Sequence, residues 1–412
     1  MTVYGTPVPQ RRSRLLTGVV VAVVGLLGLS GAGAAAQLTR DLPPPELTTA
    51  IGASVRIPGA APELPWPAQG AAEVMIEGLG RLGGSGDGPA EPIGSVAKVM
   101  TAYVILQAHP LSGAQEGPSL TVTAEDVADY RSRIATNQSL VPVKEGTALT
   151  QRDALEALML PSANNVARQL AIWDAGSESA FVTKMNAAAA ELGMADTRYT
   201  DPSGFLPTTV STAADQVVLG RAAVKMPVFA EIVALEEATI PVAGRITNYN
   251  DLLGVGGVFG IKTGSTDEAG GNLLFASRLT VGSRTLTLVG AVFNQPGADT
   301  PQQLAAVNRV VRRLLTAIRK VVKEYQLLAA APAGKLSSAW GATTTVTPAQ
   351  PLTVIGWPGL ELPVKIKDTH SGTAVTAGEQ VGTAEAAGVR VQLRAESALK
   401  SPSLWWRLTR SP

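Results

Sequence analysis

Residues 95–224 place apolar side chains at helical spacing in one segment after another, and beyond residue 238 the spacing becomes that of strands. That switch limits the possible folds more than any other feature of the chain. The pattern predicts helices over residues 95–108, 150–160, 165–173, 177–192 and 212–224, with Thr150 as an N-cap, Pro161 as an interruption and Gly193 as a C-cap. Upstream, residues 71–82 read as a strand region and 83–88 as a glycine-rich turn. Residues 259–264, 272–278 and 285–293 read as three strands of an antiparallel meander, separated at Gly270-Gly271 and Gly282-Ser283. Residues 301–328 read as one long helix with Arg312, Arg313, Arg319, Lys320 and Lys323 on its polar side. Helices, then strands, then a closing helix suit an α+β sandwich of helices on an antiparallel sheet better than a doubly wound sheet.

The remaining C-terminal stretch has a different texture. Residues 329–334 are rich in Ala and Pro and read as a hinge. Residues 336–399 favour strands at 343–346, 352–355, 362–366, 381–384 and 389–393, the pattern of a small all-β domain. No solenoid-type repeat is visible.

At the other end, Arg11, Arg12 and Arg14 precede an uncharged stretch, 15–38, that closes in Ala34-Ala35-Ala36. A basic region, an apolar core and a small-residue end are the parts of a secretory signal, and the stretch is also long enough for a retained membrane anchor. Both readings put the bulk of the chain on the extracytoplasmic side, because arginines stay inside. Residues 42–66 contain Pro43-Pro44-Pro45 and further prolines at 58, 62 and 65, which reads as a stiff tether. The expected organisation is therefore a basic n-region over 1–14, a signal or anchor over 15–38, a tether over 39–66, a catalytic domain over 67–329, a β domain over 335–400 and a tail over 401–412.

Composition narrows the chemistry. A net charge of +1 over 412 residues, with no basic runs, gives no field for nucleic acid. Zero cysteines exclude a thiol nucleophile and a thiolate metal site. Two histidines, His109 and His370, are too few for an ordinary zinc hydrolase, which takes three protein ligands, and leave little to supply a Ser-His-Asp triad. Catalysis in this chain needs another base, and no metal or cofactor is expected.

Three short elements offer one. Ser95-Val96-Ala97-Lys98 places a hydroxyl and an amine one helical turn apart on one face. A lysine serves as base only when neutral, and burial or a second cation lowers its pKa. Ser162-Ala163-Asn164 presents a hydroxyl and an amide at the break after Pro161. Lys262-Thr263-Gly264 ends an apolar strand, where the glycine admits a close backbone approach and Lys262 can meet a carboxylate and act as the second cation. Singly, Ser95 and Ser162 read as helix caps and Lys262 as an edge-strand lysine that blocks aggregation. In this order they match the S-x-x-K, S-x-N, K-T-G signature of penicillin-binding proteins and class A β-lactamases.

With these motifs in place the chain resembles the low-molecular-mass, penicillin-binding D-alanyl-D-alanine carboxypeptidases, peptidase family S11, over roughly residues 71–328. The stretches 95–103, 199–204 (Tyr-Thr-Asp-Pro-Ser-Gly) and 248–253 look like the family's nucleophile helix, its loop after the second motif and its approach to the third. The resemblance implies a DD-peptidase/β-lactamase-like fold and a likeness of the β-rich tail to the family's C-terminal domain. It implies Ser95 as nucleophile, Lys98 as general base, Ser162 as proton shuttle, and Asn164 holding Lys98 and the substrate backbone. Lys262, Thr263, Gly264 and Ser265 would bind substrate, with the backbone N–H groups of Ser95 and Ser265 as oxyanion hole. The implied partners are peptidoglycan stem peptides, β-lactams as covalent inhibitors and the cytoplasmic membrane through the N-terminus, for a monomer. Three departures stand out: Ala97 where the family usually has Thr; Phe293-Asn294-Gln295 where some members carry a carboxylate-binding Arg; and a tail, Leu404-Trp405-Trp406-Arg407-Leu408, too short for the family's amphipathic anchor. That tail is expected either to pack on the β domain or to be disordered. A class A-like β-lactamase is the nearest rival, but residues 194–205 offer Asp196 and Asp201 and no deacylating Glu. A non-catalytic wall-binding or penicillin-sensing protein is the rival from another class.

Overall fold

The computed structural model describes Thr2, residues 11–86 and residues 88–411, the side chains of residues 11–14 excepted. Most of the expected n-region and the side chains of Arg11, Arg12 and Arg14 lie outside the described residues, as does Pro412 of the tail. The chain divides into two compact units, Pro58–Glu324 with Ile355–Leu360, and Met1–Ile57 with Tyr325–Val354 and Glu361–Pro412.

Helices run α1 (Arg11–Thr39), α2 (Lys98–Ala108), α3 (Ala124–Ile134), α4 (Gln151–Met159), α5 (Asn164–Ala175), α6 (Glu178–Glu191), α7 (Ala213–Ala223), α8 (Pro227–Ala234), α9 (Thr300–Val321) and α10 (Leu404–Thr409). Local chemistry sets several of their starts. Thr123 and Thr150 each form a reciprocal cap with an aspartate three residues on, Asp126 and Asp153. Ser177, Thr212 and Asp299 cap α6, α7 and α9.

In the first unit, strands β1 (Ala72–Ile76), β2 (Gly80–Ser85), β3 (Val258–Thr266), β4 (Gly270–Val281) and β5 (Arg284–Gln295) form one antiparallel sheet in the order β3-β4-β5-β1-β2. Side chains alternate across it. Leu274, Ala276, Val289 and Ala291 face a cluster built from the helices between residues 98 and 234. Leu273, Phe275, Leu288 and Val292 face Val307, Val311 and Leu314 of α9. Both faces are covered, so the strands read as near-continuous apolar runs, and each fully buried Leu or Phe stabilises the fold by about 1.5–3 kcal/mol. This is the α+β sandwich that the sequence pattern implies. It leaves β3 at the sheet edge, beside the turn that carries Ser95.

Several boundaries differ from expectation. Residues 83–85 are strand, because Gly83 and Gly84 let the Trp66 ring and the Glu73 and Arg81 side chains press on their backbone. The helix expected from Ser95 opens as one 3-10 turn, Gly94–Ala97, and becomes α-helical at Lys98. The closing helix ends at Val321, and Lys323 belongs to a strand, Lys323–Leu328; Ile318 is the last deeply buried residue of the helical stripe. Helices α3 and α8 were not legible in the apolar spacing. Among the described side chains of α3 none is buried, whereas its Thr123–Asp126 cap and the Pro at the start of α8 were readable signals.

The second unit corrects the tether reading. Glu46–Thr49 pairs with Gly334–Ser337, and Ser54–Arg56 with Glu361–Pro363, so the Pro-rich segment supplies strands to the β domain. Its main sheet runs Glu46–Thr49, Gly334–Ser337, Thr343–Pro348, Val389–Ala395, Gln380–Ala386, Lys365–Asp368. The tail is ordered as α10. Trp406 meets Trp340 edge-on at 5.7 Å, and Arg410 donates to the carbonyls of Gln37 in the last turn of α1 and of Arg40 and Asp41 just after it. Guanidinium donors there satisfy carbonyls that the end of a helix leaves unpaired.

Candidate active site

Ser95 sits on the 3-10 turn and Lys98 follows as the first residue of α2. The Lys98 side chain is completely buried. Its Nζ lies 2.8 Å from Ser95 Oγ and donates to the Ser203 carbonyl at 2.9 Å. When the amine is neutral, its lone pair can accept the Ser95 hydroxyl proton. Burial pushes the Lys98 pKa well below the ordinary ammonium range, and the nearby positive charge of Lys262 pushes it further; Asp201 acts the other way. Lys262, also buried, is held down to about 7 by burial. The positive charge of Lys262 thus favours the neutral form of Lys98, the form that can act as a base.

The second motif lies where α4 breaks and α5 begins. Ser162 has φ 66°, a left-handed conformation that costs a non-glycine residue on the order of 1 kcal/mol and is typical of functional sites. Ser162 Oγ and Asn164 Oδ1 are buried without a hydrogen-bond partner among the described residues. Buried polar atoms are normally paired, so both are open to a ligand. Asn164 Nδ2 donates to Gln138 Oε1 at 2.8 Å, and Arg133, ion-paired to Asp129, donates to the same oxygen. This corrects the implied Asn164–Lys98 contact: the amine is held by the Ser203 carbonyl and the amide by Gln138. Sequence reasoning missed Gln138, which stands in no motif.

The third motif lies on β3. Lys262 and Thr263 are buried, so the exposed edge-lysine reading does not hold. A Cβ on Gly264 would stand 2.9 Å from the Ile93 carbonyl and 3.0 Å from the backbone nitrogens of Ser95 and Val96. Only glycine lets the strand approach the nucleophile turn this closely. The position of a Cβ on Gly94 is 3.2 Å from Ser265 N, so that backbone nitrogen also faces the turn. The Ser265 hydroxyl, by contrast, donates to Gln303 Oε1 and lies 3.2 Å from the Thr300 hydroxyl, which occupies it at the start of α9.

The loop after α6 holds the site together. Asp201 accepts from Ser203 N, Ser203 Oγ, Phe205 N and Thr209 Oγ1, and Thr101 donates to the Pro202 carbonyl. Asp-Pro-Ser-Gly is a turn signature, and here the turn aims Ser203 O at Lys98. Asp201 is thus committed to the loop and is not available as a deacylating base, and Asp196 is exposed outside the cleft. Gly204 has φ 76°, and a Cβ there would lie 1.9 Å from the Gly94 carbonyl. Gly204→Ala is expected to destabilise the protein by about 2 kcal/mol or more and to cut penicillin acylation with it; chemical denaturation and labelling kinetics read the two effects.

Ser95, Ser162, Asn164, Thr263, Gly264 and Ser265 line one open cleft of about 440 Å³. Asn294 and Gln295, where an arginine was absent, bond to Glu91 and Gln69 instead and do not line it. His109 pairs with Asp174 at 3.0 Å and stacks beside Trp173, and His370 pairs with Glu379, so neither serves Ser95. No group of three His, Cys, Asp or Glu that could hold a metal exists among the described residues.

A buried amine against a serine hydroxyl, facing a second cation on an edge strand, defines a serine acyl-transfer enzyme. Residues 87–296 match the family model of peptidase S11, D-alanyl-D-alanine carboxypeptidase. The chain is 37% identical over 224 residues to the D-alanyl-D-alanine carboxypeptidase DacB2 of Mycobacterium tuberculosis, covering 53% of this chain and 72% of that protein. It is 32% identical over 250 residues to a D-alanyl-D-alanine endopeptidase of Pseudomonas aeruginosa, covering 57% and 74%. Among solved structures, the Streptomyces K15 DD-transpeptidase superposes with TM-score 0.53 at 27% identity, over 62% of this chain and all of that one. Penicillin-binding protein 5 of Haemophilus influenzae shares the fold, with TM-score 0.56 at 19% identity over 81% of this chain and 99% of that one. The chain belongs to the S11 family, the serine-type D-alanyl-D-alanine carboxypeptidases.

Proposed function

We propose that this carboxypeptidase removes the terminal D-alanine of peptidoglycan stem peptides through an acyl-enzyme on Ser95. Lys98 Nζ, 2.8 Å from Ser95 Oγ and with its pKa driven down by burial and by Lys262, carries the assignment. Ser95 Oγ attacks the carbonyl of the penultimate D-alanine as its proton passes to Lys98. The N–H groups of Ser95 and Ser265 stabilise the oxyanion. Ser162 relays the proton to the leaving nitrogen, the C–N bond breaks, and free D-alanine departs. Asn164 Oδ1 receives a substrate backbone N–H, and Lys262 with Thr263 receives the terminal carboxylate. Water then attacks the ester, with Lys98 as base, and Ser95 is restored. A β-lactam follows the same first step, and its tethered leaving group stays in the cleft.

The placement of the enzyme extends the same reading. Over Leu15–Thr39, α1 is long and apolar enough to cross a membrane, and its apolar side chains are exposed. With arginines on its N-terminal side, it supports export, with both folded units outside the cytoplasmic membrane.

The purified protein is expected to release D-alanine from diacetyl-Lys-D-Ala-D-Ala and to gain the mass of one penicillin. Acylation without D-alanine release would favour a sensor, and fast nitrocefin turnover a β-lactamase. Intact mass of native material also reads the mature N-terminus, separating a cleaved signal from a retained anchor.

A further inference from the structure

Beyond the reacting atoms the cleft continues along β3. The reading above places the terminal carboxylate at Lys262 and Thr263 and the scissile carbonyl between Ser95 N and Ser265 N. The substrate therefore runs toward higher residue numbers as it extends N-terminally. β3 is the edge strand of its sheet, and an extended peptide can lie along such an edge at about 3.3 Å per residue. The residue before the two D-alanines then lies beside the end of β3 and the turn after it, at Thr266, Asp267 and Glu268.

That part of the cleft has a distinct character. Asp267 and Glu268 are the charged side chains among its lining residues. Both are exposed, and neither makes a hydrogen bond or ion pair through its carboxylate among the described residues. The same cleft is lined by Phe205, Leu206 and Tyr249, large aromatic or aliphatic side chains 39%, 44% and 44% exposed. In the same cleft Ser162 and Asn164, 3% and 4% exposed, leave polar oxygens unpartnered, the mark of a site built for a polar chain. A cleft that combines apolar surface with two free carboxylates suits a side chain with an aliphatic stem and an ammonium tip.

We propose that Asp267 and Glu268 form a subsite for the cationic side chain of the residue preceding D-Ala-D-Ala, so that the enzyme prefers stem peptides whose diamino acid keeps its side-chain amine free. The proposal rests on the carboxypeptidase reading and deepens it. It also implies a preference for stems that have not been acylated on that amine, as happens when they accept a cross-link.

The test compares Nα-acetyl-Lys-D-Ala-D-Ala with Nα,Nε-diacetyl-Lys-D-Ala-D-Ala on the full chain, with D-alanine release as readout. An exposed carboxylate pair gives a modest effect, so the expected kcat/KM ratio is about three- to tenfold at low salt, shrinking at high salt. In D267N/E268Q the ratio falls to about 1, and in D267K/E268K it falls below 1. A wild-type ratio of 1, or a ratio that the neutral variant leaves unchanged, overturns the subsite while the carboxypeptidase reading stands. If neither peptide is hydrolysed, the subsite falls together with the reading beneath it. Because each ratio is internal to one preparation, partial misfolding of a variant does not imitate the result.

Discussion

Ser95→Ala takes up no fluorescent penicillin, and its release of D-alanine falls by about 10⁴-fold or more. The expectation follows from the absence of any substitute nucleophile. Other hydroxyl side chains line the cleft, Ser162, Thr263 and Ser265 among them, but among the described residues only Ser95 is hydrogen-bonded to a buried amine. Ser162 Oγ has no partner at all, and without a base a hydroxyl remains a poor nucleophile at neutral pH. The cleft itself persists in the variant, because Gly264, Gly204 and the Asp201 loop hold the walls independently of Ser95 Oγ. The variant is therefore expected to bind substrate while failing to react. Intact mass after penicillin treatment checks it, and a persistent adduct would move the nucleophile elsewhere.

Lys98→Met lowers the acylation rate by about 10³-fold, within the 10²–10⁴ that a positioned base contributes. Lys98→Arg loses as much, because a guanidinium stays charged and cannot accept the proton. The pH profile carries the sharper result. Acylation needs Lys98 neutral, so kcat/KM rises as pH climbs through the lowered Lys98 pKa. Carboxylate binding needs Lys262 charged, so kcat/KM falls as pH climbs through the Lys262 value, about 7 in the free enzyme. Burial and the Lys262 charge both disfavour the protonated form of Lys98, which is what gives the acidic limb. In Lys98→Met the acidic limb disappears and the alkaline limb remains. A wild-type profile flat from acid pH to the ordinary lysine range would contradict both assignments.

The three motifs were legible because each is short and contiguous. Local backbone geometry alone brings Ser95 within one turn of Lys98 and sets Ser162 beside Asn164. The sandwich was legible because its sheet is buried on both faces and its helices are amphipathic or capped. Gln138 was not legible. It reaches Asn164 from a different loop, 26 positions away in sequence, and nothing around residue 138 advertises a partner. The strands of the Pro-rich segment were hidden too, because Glu46–Thr49 is too short to show a period and acquires its structure from Gly334–Ser337.

By itself, then, the sequence determined the class of chemistry. A chain without cysteine, with two histidines and three ordered Ser, Lys and Asn motifs, has little else with which to cleave a peptide. Only the tertiary structure decided how a lysine becomes a base. Ser95 and Lys98 are three residues apart, but Lys262 is 164 positions beyond Lys98, and the Ser203 carbonyl that orients the amine is 105 away. Folding takes both amines out of water and sets one cation against the other. Desolvation and repulsion favour the neutral amine only once those distant segments are packed together.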